Sequence, residues 1–305
     1  MANLKDIKLK ILSYKKTGTV THAMEAVSAV KMRKAQERAL GGRAYAAASL
    51  SVLERLAGTA DASKHSLMRE GSGKTCFIVV VSDKGLAGSL NSGVIRKVED
   101  EIRSRNLNKS DVVMIAIGRR GAEYFASRGY EVRLRRDNLA DGVSEHDIRA
   151  VTDAVLAGHA TGEIGAVVVG YQNFLSTFEQ QPTTRQIVPI TRSLMQEMIK
   201  GIRPAKGKYA PQNPEKDVAP AAYTIEPDAD TVLSTLLPRL LNIAIFYSVL
   251  EGKASEHSAR MVAMKSATDK AKEMAHNLTR TFNKVRQAAI TREVSEITSG
   301  IEAMK

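Results

Sequence analysis

Residues 254–289, ASEHSARMVAMKSATDKAKEMAHNLTRTFNKVRQAA, decide the fold of this chain. Apolar or small residues recur there at alternating spacings of three and four, at Ala254, His257, Met261, Met264, Thr268, Ala271, Ala275, Leu278, Phe282, Val285 and Ala289. This spacing is the heptad pattern of a coiled coil. From Glu251 to Met304 the sequence has no proline, and its only glycines are Gly252 and Gly300. The stretch therefore predicts one long helix with a seam for a partner helix.

This helix is expected to be too long for an ordinary core helix. Running back to about Arg239, it would have roughly 60 residues and measure about 90 Å at 1.5 Å per residue. A compact globule of this chain length has a radius of gyration of only about 19 Å. We therefore expect the helix to project and to need a partner along its length.

The N-terminus supplies the candidate partner, because residues 1–56 also have a helical pattern. One apolar stripe is formed by Leu4, Ile7, Ile11 and Tyr14, and we expect it to continue, with a drift, through Val20, Ala23, Met24, Val27 and Val30. Gly18, Gly41 and Gly42 weaken the helix locally. A chain that leaves and returns to one globule favours antiparallel pairing of its two terminal helices.

The middle of the chain alternates between short apolar runs and amphipathic segments. The runs at 76–81, 112–117, 130–134 and 166–171 predict strands, and the segments at 90–105, 119–128 and 144–156 predict helices. This alternation is typical of a mostly parallel sheet with helices packed on it. A further run at 186–190 predicts an edge strand.

The predicted fold class is therefore α/β: a Rossmann-like α/β domain between two helices that form a long antiparallel coiled coil. We divide the chain into an N-terminal coiled-coil helix at 1–60, the α/β domain at 61–199, a proline-rich connector at 200–226 and the long C-terminal helix at 227–305. The connector holds four of the eight prolines. The long helix is expected to begin after Pro227, with Asp228 or Asp230 as its cap, and to kink at Pro238.

Composition restricts the partners of the chain. The net charge of +12 and the isoelectric point near 9.7 call for an acidic partner, which could be nucleic acid, a membrane surface or an acidic protein face. Residues 1–56 hold 11 lysines and arginines against 4 acidic residues. The single cysteine, Cys76, fits a reducing compartment. No secretory signal is visible, and the longest apolar run, 240–250, is too short to span a bilayer.

Two glycine-rich segments are candidates for phosphate sites, and neither fits the required pattern. Residues 71–75, GSGKT, lack the first glycine of a phosphate loop, because Met68 stands there, and they precede a strand instead of following one. Residues 82–89, SDKGLAGS, lie between a strand and a helix but lack the dinucleotide fingerprint, so a structural turn is the better interpretation. The six histidines are scattered without metal-ligand spacing. We expect no catalytic residues, no cofactor and no metal.

Several segments together resemble the gamma subunits of bacterial F-type, proton-transporting ATP synthases. They are residues 254–264 with 267–269, residues 283–291 with Glu293 and Glu296, the N-terminal segments 4–8 and 21–31, the 82–91 turn, and residues 223–239. The resemblance covers nearly the whole chain except the connector, and its motifs occur in the family's order. Glu25, Lys270 and Ile301 depart from the family pattern.

The resemblance implies a mechanical and non-catalytic role. Such a subunit is the asymmetric rotor shaft inside a ring of three alpha and three beta subunits, and its rotation couples proton flow to ATP synthesis or hydrolysis on the beta subunits. It implies docking on the epsilon subunit and the c-subunit ring, with no nucleic acid bound and no insertion into the bilayer. The location implied is the cytoplasmic face of the bacterial inner membrane, as a peripheral protein.

The resemblance also implies residues that contact the ring or pack the two helices where they meet it. These are Met24, Lys31, Arg286, Gln287, Thr291 and Glu293, with Arg33 and Lys34 in the same basic cluster as Lys31. Ile297, Ile301 and Met304 would form an apolar tip. From composition alone, the basic helix could also be a solvated face or bind nucleic acid, so a basic coiled-coil nucleic-acid-binding protein is the alternative function.

Overall fold

The computed structural model describes residues 4–41, 65–191 and 228–304. The predictions for the far end of the N-terminal helix and for the proline-rich connector lie outside these residues. The chain divides into two compact units, Met1–Ala29 with Arg260–Lys305 and Val30–Ala259.

Five helices and five strands form the regular structure of the described residues. The helices are α1 (Leu4–Gly41), α2 (Leu90–Ser104), α3 (Arg119–Ser127), α4 (Glu145–Ala160) and α5 (Ala229–Glu302). The strands are β1 (Lys74–Val80), β2 (Val112–Ile117), β3 (Glu131–Arg136), β4 (Ile164–Phe174) and β5 (Gln180–Val188). Short 3-10 turns lie at Ser66–Met68 and Lys109–Asp111.

The sheet has the strand order β3-β2-β1-β4-β5. The pairs β1–β2, β1–β4 and β2–β3 are parallel, and β5 runs antiparallel to β4 at one edge. Every residue of β2, and all but the first of β1, is buried, as expected for parallel strands covered on both faces. The predicted α/β sheet and its additional edge strand are confirmed.

Two apolar cores cover the two faces of the sheet. On one face, Ile148, Val151 and Val155 of α4 pack together with Leu237 and Leu241 of α5. On the other face, α2 contributes Val94, Ile95, Val98 and Ile102, and α3 contributes Phe125. The beginning of the long helix is therefore a core helix of the α/β domain.

Helix α5 has 74 residues, or about 110 Å at 1.5 Å per residue, and is continuous through Pro238. Asp228 caps its start, because the backbone N–H of Thr231 donates to Asp228 Oδ1 at 2.8 Å and the Thr231 hydroxyl donates to Oδ2 at 2.8 Å. The predicted cap at Asp228 is confirmed.

By length and composition, one helix in the described ranges could cross a membrane, namely α5 over Thr231–Glu302. Its most apolar window is 56% buried inside the protein. Burial of this kind is what a core helix shows, and the leucines that pack under the sheet account for it.

Candidate functional site

The seam of α1 follows one heptad register from end to end. Ile7, Gly18, Thr21, Ser28 and Ala35 are buried. The half-buried positions between them keep the same alternation of three and four and are Leu4, Ile11, Tyr14, Glu25 and Met32. After Tyr14, the seam therefore consists largely of small and polar residues.

This register corrects the predicted second half of the stripe. Val20, Val27 and Val30 have exposed fractions of 58%, 55% and 59%, and Ala23 is exposed as well. The prediction followed the most hydrophobic side chains, whereas close approach of two helix backbones selects small residues at the seam. Met24, a candidate helix-packing residue, is half-buried beside the seam.

The seam of α5 agrees with the prediction. All eleven positions of the predicted heptad pattern, from Ala254 to Ala289, are buried or half-buried. After Ala289 every described residue is exposed. The heptad spacing was therefore sufficient to identify the packing face of this helix and the point where that face ends.

Direct contacts show that the two helices pair antiparallel. The hydroxyl oxygens of Thr21 and Thr268 lie 2.6 Å apart. A Cβ added to Gly18 would lie 3.6 Å from the Cβ of Ala271. Moving forward along α1 from Gly18 to Thr21 therefore moves backward along α5, which confirms the predicted antiparallel coiled coil.

The register gives a cross-linking prediction. We expect Thr21→Cys with Thr268→Cys to form a disulfide readily on oxidation, because the two side chains already touch across the seam. Cys76 need not be removed, since burial raises the pKa of its thiol to about 12. The measurement is the fraction of oxidised chain on a non-reducing gel. Thr21→Cys with Ala289→Cys is the control, and equal cross-linking of both pairs would contradict the register.

The same register leaves the end of α5 without a seam partner on α1. Continued residue by residue, it places Leu4 level with Val285. The predicted contact residues beyond this level, Arg286, Gln287, Thr291, Glu293, Ile297, Ile301 and Met304, are all exposed. Ile297 is 63% exposed and Met304 is 85% exposed. This end of α5 is thus an unpaired helix with respect to α1, and its candidate contact residues are accessible to a partner.

Two further apolar residues belong to this exposed end and were missed. Ile290 and Val294 are 51% and 56% exposed. Together with Ile297, Ile301 and Met304 they recur at spacings of four and three, so they form one apolar stripe along the helix. The spacing is visible in the sequence, but the stripe is displaced by one or two residues from the continuation of the seam, so the seam pattern does not include it.

In the unit formed by Val30–Ala259, one loop binds both long helices. Asp141, between β3 and α4, accepts from Lys31 Nζ at 2.8 Å through Oδ2 and contacts His257 Nε2 at 2.9 Å through Oδ1. Arg38 donates to the Asp141 carbonyl at 2.7 Å, and Lys253 donates to the Leu139 carbonyl at 3.0 Å. We call Lys31, Arg38, Asp141, Lys253 and His257 the clasp.

The clasp carboxylate is held in its charged form. Partial burial would raise the pKa of Asp141, but the hydrogen bond from Lys31 and the charge of His257 outweigh it, and the pKa lies below its ordinary value. Of the predicted basic contact residues, Lys31 is thus engaged within the chain, whereas Arg33 and Lys34 are exposed.

The motif at Ser255–Ser258 attaches α5 to the sheet on another side. The Ser255 hydroxyl donates to the Gln172 carbonyl at 3.1 Å, and the Ser258 hydroxyl donates to the Thr177 carbonyl. Both serines are completely buried. The sequence marked this motif only by its family resemblance, whereas the structure gives its polar residues hydrogen-bonding roles.

The crevice where Rossmann-like domains bind nucleotides is filled by the chain itself. In such folds the ligand site lies at the carboxyl ends of the strands where the strand order reverses, which here is between β1 and β4. Val249, Gly252 and Lys253 of α5 line this place. A Cβ on Gly252 would approach Val80 Cγ1 to 2.9 Å. The remaining cavity, about 10 Å³, holds about one water molecule and no nucleotide.

The two glycine-rich segments have packing roles. At Gly73, an added Cβ would come within 2.5 Å of the Gly162 carbonyl oxygen, and the neighbouring Lys74 pairs with Glu131 at 2.9 Å. In the second segment, Asn91 Oδ1 accepts from the backbone N–H of Ser82 at 2.9 Å, which fixes the turn. Within the described residues, no group of three or more His, Cys, Asp or Glu side chains could hold a metal ion.

The chain has clear relatives over its full length. A family model described as ATP synthase matches residues 3–304. The ATP synthase gamma chain of Cupriavidus pinatubonensis is 38% identical over 305 residues, and that of Geotalea daltonii is 37% identical over 306 residues. That of Pelotomaculum thermopropionicum is 35% identical over 307 residues. In all three comparisons the alignment covers 100% of both chains.

Solved structures share the fold. A chain of the Euglena gracilis mitochondrial ATP synthase, in a structure of OSCP, F1 and the c-ring, aligns with a TM-score of 0.64 at 16% identity and covers 99% of this chain and 94% of that one. A chain from the central stalk and c-ring of the Tetrahymena thermophila mitochondrial ATP synthase gives 0.59 at 22% identity and covers 81% and 99%.

Proposed function

Because this chain belongs to the ATP synthase gamma-chain family, we propose that its paired helices are the rotor shaft turning inside a ring of alpha and beta subunits. The α/β domain would dock on the epsilon subunit and the c-subunit ring. The observation that carries this proposal is the antiparallel helix pair whose longer member continues, exposed, beyond the level of its partner.

The exposed end of α5 suits a part that must turn in a sleeve. Its stripe of Ile290, Val294, Ile297, Ile301 and Met304 offers apolar contact without directional hydrogen bonds. The energy of apolar contact varies little with the angle of rotation. Such contact therefore keeps the helix on its axis while allowing the helix to turn. Arg286, Gln287, Thr291 and Glu293 would supply the angle-dependent contacts that make the beta subunits unequal at any instant.

The chemistry of ATP would take place on the beta subunits and not on this chain. Its own nucleotide crevice is occupied by α5. The glycines of segment 71–75 are packed against neighbouring backbone, and the 82–89 turn is fixed by Asn91. As part of the membrane-associated ATP synthase, the chain would lie at the cytoplasmic face of the bacterial inner membrane, as a peripheral subunit. The family match gives no support to the nucleic-acid-binding alternative.

A charge-reversal experiment tests the contact between the shaft and an acidic lever on the ring. Arg33 and Lys34 are exposed on α1, so we expect Arg33→Glu with Lys34→Glu to lower proton pumping per ATP hydrolysed. Two exposed pairs of about 0.5 kcal/mol each would weaken the contact roughly fivefold. Lys31 is left unchanged, because its reversal would also break the clasp.

The matched control for that experiment carries the same change in charge elsewhere. Arg96→Glu with Lys97→Glu reverses two exposed residues on α2 of the α/β domain. Both variants are compared in membrane vesicles, with hydrolysis and proton uptake measured on the same sample. Pumping per ATP that stays at the wild-type value in the Arg33 and Lys34 variant would show that these charges do not transmit torque.

A further inference from the structure

The two halves of α1 are attached differently. Its first half brings bulky apolar side chains to the seam, Leu4, Ile7, Ile11 and Tyr14, whereas the second half brings Gly18, Thr21, Ser28 and Ala35 at its buried positions. Small and hydroxyl-bearing residues bury little apolar surface, so each contributes less hydrophobic stabilisation. The part of α1 nearest the clasp therefore needs another source of attachment.

Helix α5 does not share this weakness. Before it reaches the clasp, it places Leu233, Leu237, Leu240 and Leu241 in the core beneath the sheet, each with an exposed fraction of 3% or less. The hydroxyls of Ser255 and Ser258 add two hydrogen bonds, one to β4 and one to the loop that follows it. The position of α5 on the α/β domain is thus fixed without the clasp.

The clasp meets the two helices with different burial. The His257 ring is 4% exposed, whereas the Lys31 side chain is 45% exposed and the Asp141 side chain 40% exposed. Asp141 Oδ1 is thus held against a fixed and buried ring on α5, and its Oδ2 is left to bind the ammonium of α1. Arg38 strengthens the attachment of α1 by donating to the carbonyl of the same residue.

We propose that Asp141 is a positioning residue that fixes the second half of α1 to the α/β domain and to α5 through Lys31. The ion pair takes the place of the bulky seam residues that this half of α1 lacks. Asp141 thereby ties α1 to α5 within the unit formed by Val30–Ala259. This inference stands on the contacts of the chain alone and does not depend on the rotor role.

Hydrogen exchange of the purified full chain tests the inference. We expect Asp141→Asn to speed amide exchange in residues 28–38 of α1 by about two- to fivefold, because the variant keeps the shape of the side chain but loses its charge. Amides in residues 240–250 of α5 should exchange at the wild-type rate. Asp100→Asn is the control, because it removes an exposed pair with Arg103 elsewhere in the same unit.

Lys31→Gln removes the α1 side of the pair and leaves the His257 contact in place. It should speed exchange in the same α1 segment, and combining it with Asp141→Asn should add little, because both variants break one interaction. Wild-type exchange of residues 28–38 in Asp141→Asn would overturn the proposal. So would fully additive effects of the two variants, or equal acceleration in α1 and α5, since either would mean general destabilisation.

Discussion

Adding the full chain to purified alpha and beta subunits is expected to raise sustained ATP hydrolysis at least about tenfold, a difference of about 1.4 kcal/mol in the effective barrier. Three chemically identical beta sites have no reason to differ in affinity unless something asymmetric stands between them. The exposed end of α5 and the seam-paired helices below it provide that asymmetry. The measurement is steady-state phosphate release with and without the chain.

The chain alone should have neither activity nor nucleotide affinity. Calorimetric titration of ATP into the purified chain is expected to show no micromolar binding, because the crevice between β1 and β4 holds about one water molecule. Tight stoichiometric ATP binding by the isolated chain would refute the shaft interpretation and favour a nucleotide-binding enzyme. An unchanged rate of ATP hydrolysis by the alpha and beta subunits when the chain is added would also refute the shaft interpretation.

Gly118→Ala is expected to have the largest effect on folding. Gly118 joins β2 to α3 with a φ of +103°, and an added Cβ would lie 2.0 Å from the Val81 carbonyl oxygen. That contact is between backbone and Cβ, so no side-chain rotation can relieve it. We expect a loss of more than about 4 kcal/mol, enough to remove most soluble folded protein. The measurement is soluble yield together with the midpoint of urea unfolding.

Gly129→Ala separates the effect of the positive φ from the effect of the steric clash with Val81. Gly129 also has a positive φ, of +80°, but an added Cβ would have no atom within 4 Å. It should therefore cost only the conformational preference, about 1–2 kcal/mol. Equal losses of stability in the two variants would contradict the argument that the close approach to Val81 causes the larger loss.

Much of the fold could be predicted because its helices and strands have regularly spaced apolar residues or continuous runs of buried apolar residues. The run at 112–117 is buried on both faces and corresponds residue by residue to β2. Likewise, the heptad pattern from Ala254 to Ala289 coincides with the buried side of α5. In both cases the same apolar side chains that create the sequence pattern also supply the packing energy, so pattern and structure agree.

The candidate site was less predictable because its residues carry no such pattern. Gly18 was expected to weaken α1, yet it lies at the seam against Ala271. Asp141 sits in an irregular loop, and nothing in its neighbourhood indicates that Lys31 and His257 converge on it across 110 and 116 residues of chain. Polar contacts between distant segments depend on the finished fold, so they become visible only with the structure.

The touching threonines, Thr21 and Thr268, lie 247 residues apart in the chain, and this separation has a consequence for biosynthesis. A ribosome adding about 5–20 residues per second needs roughly 12–50 seconds to make the intervening segment. During that interval the partner helix of α1 does not yet exist, and helices in proteins gain most of their stability from packing against a partner. The seam residues of α1 in the nascent chain therefore stay exposed to solvent until synthesis of the chain is nearly finished.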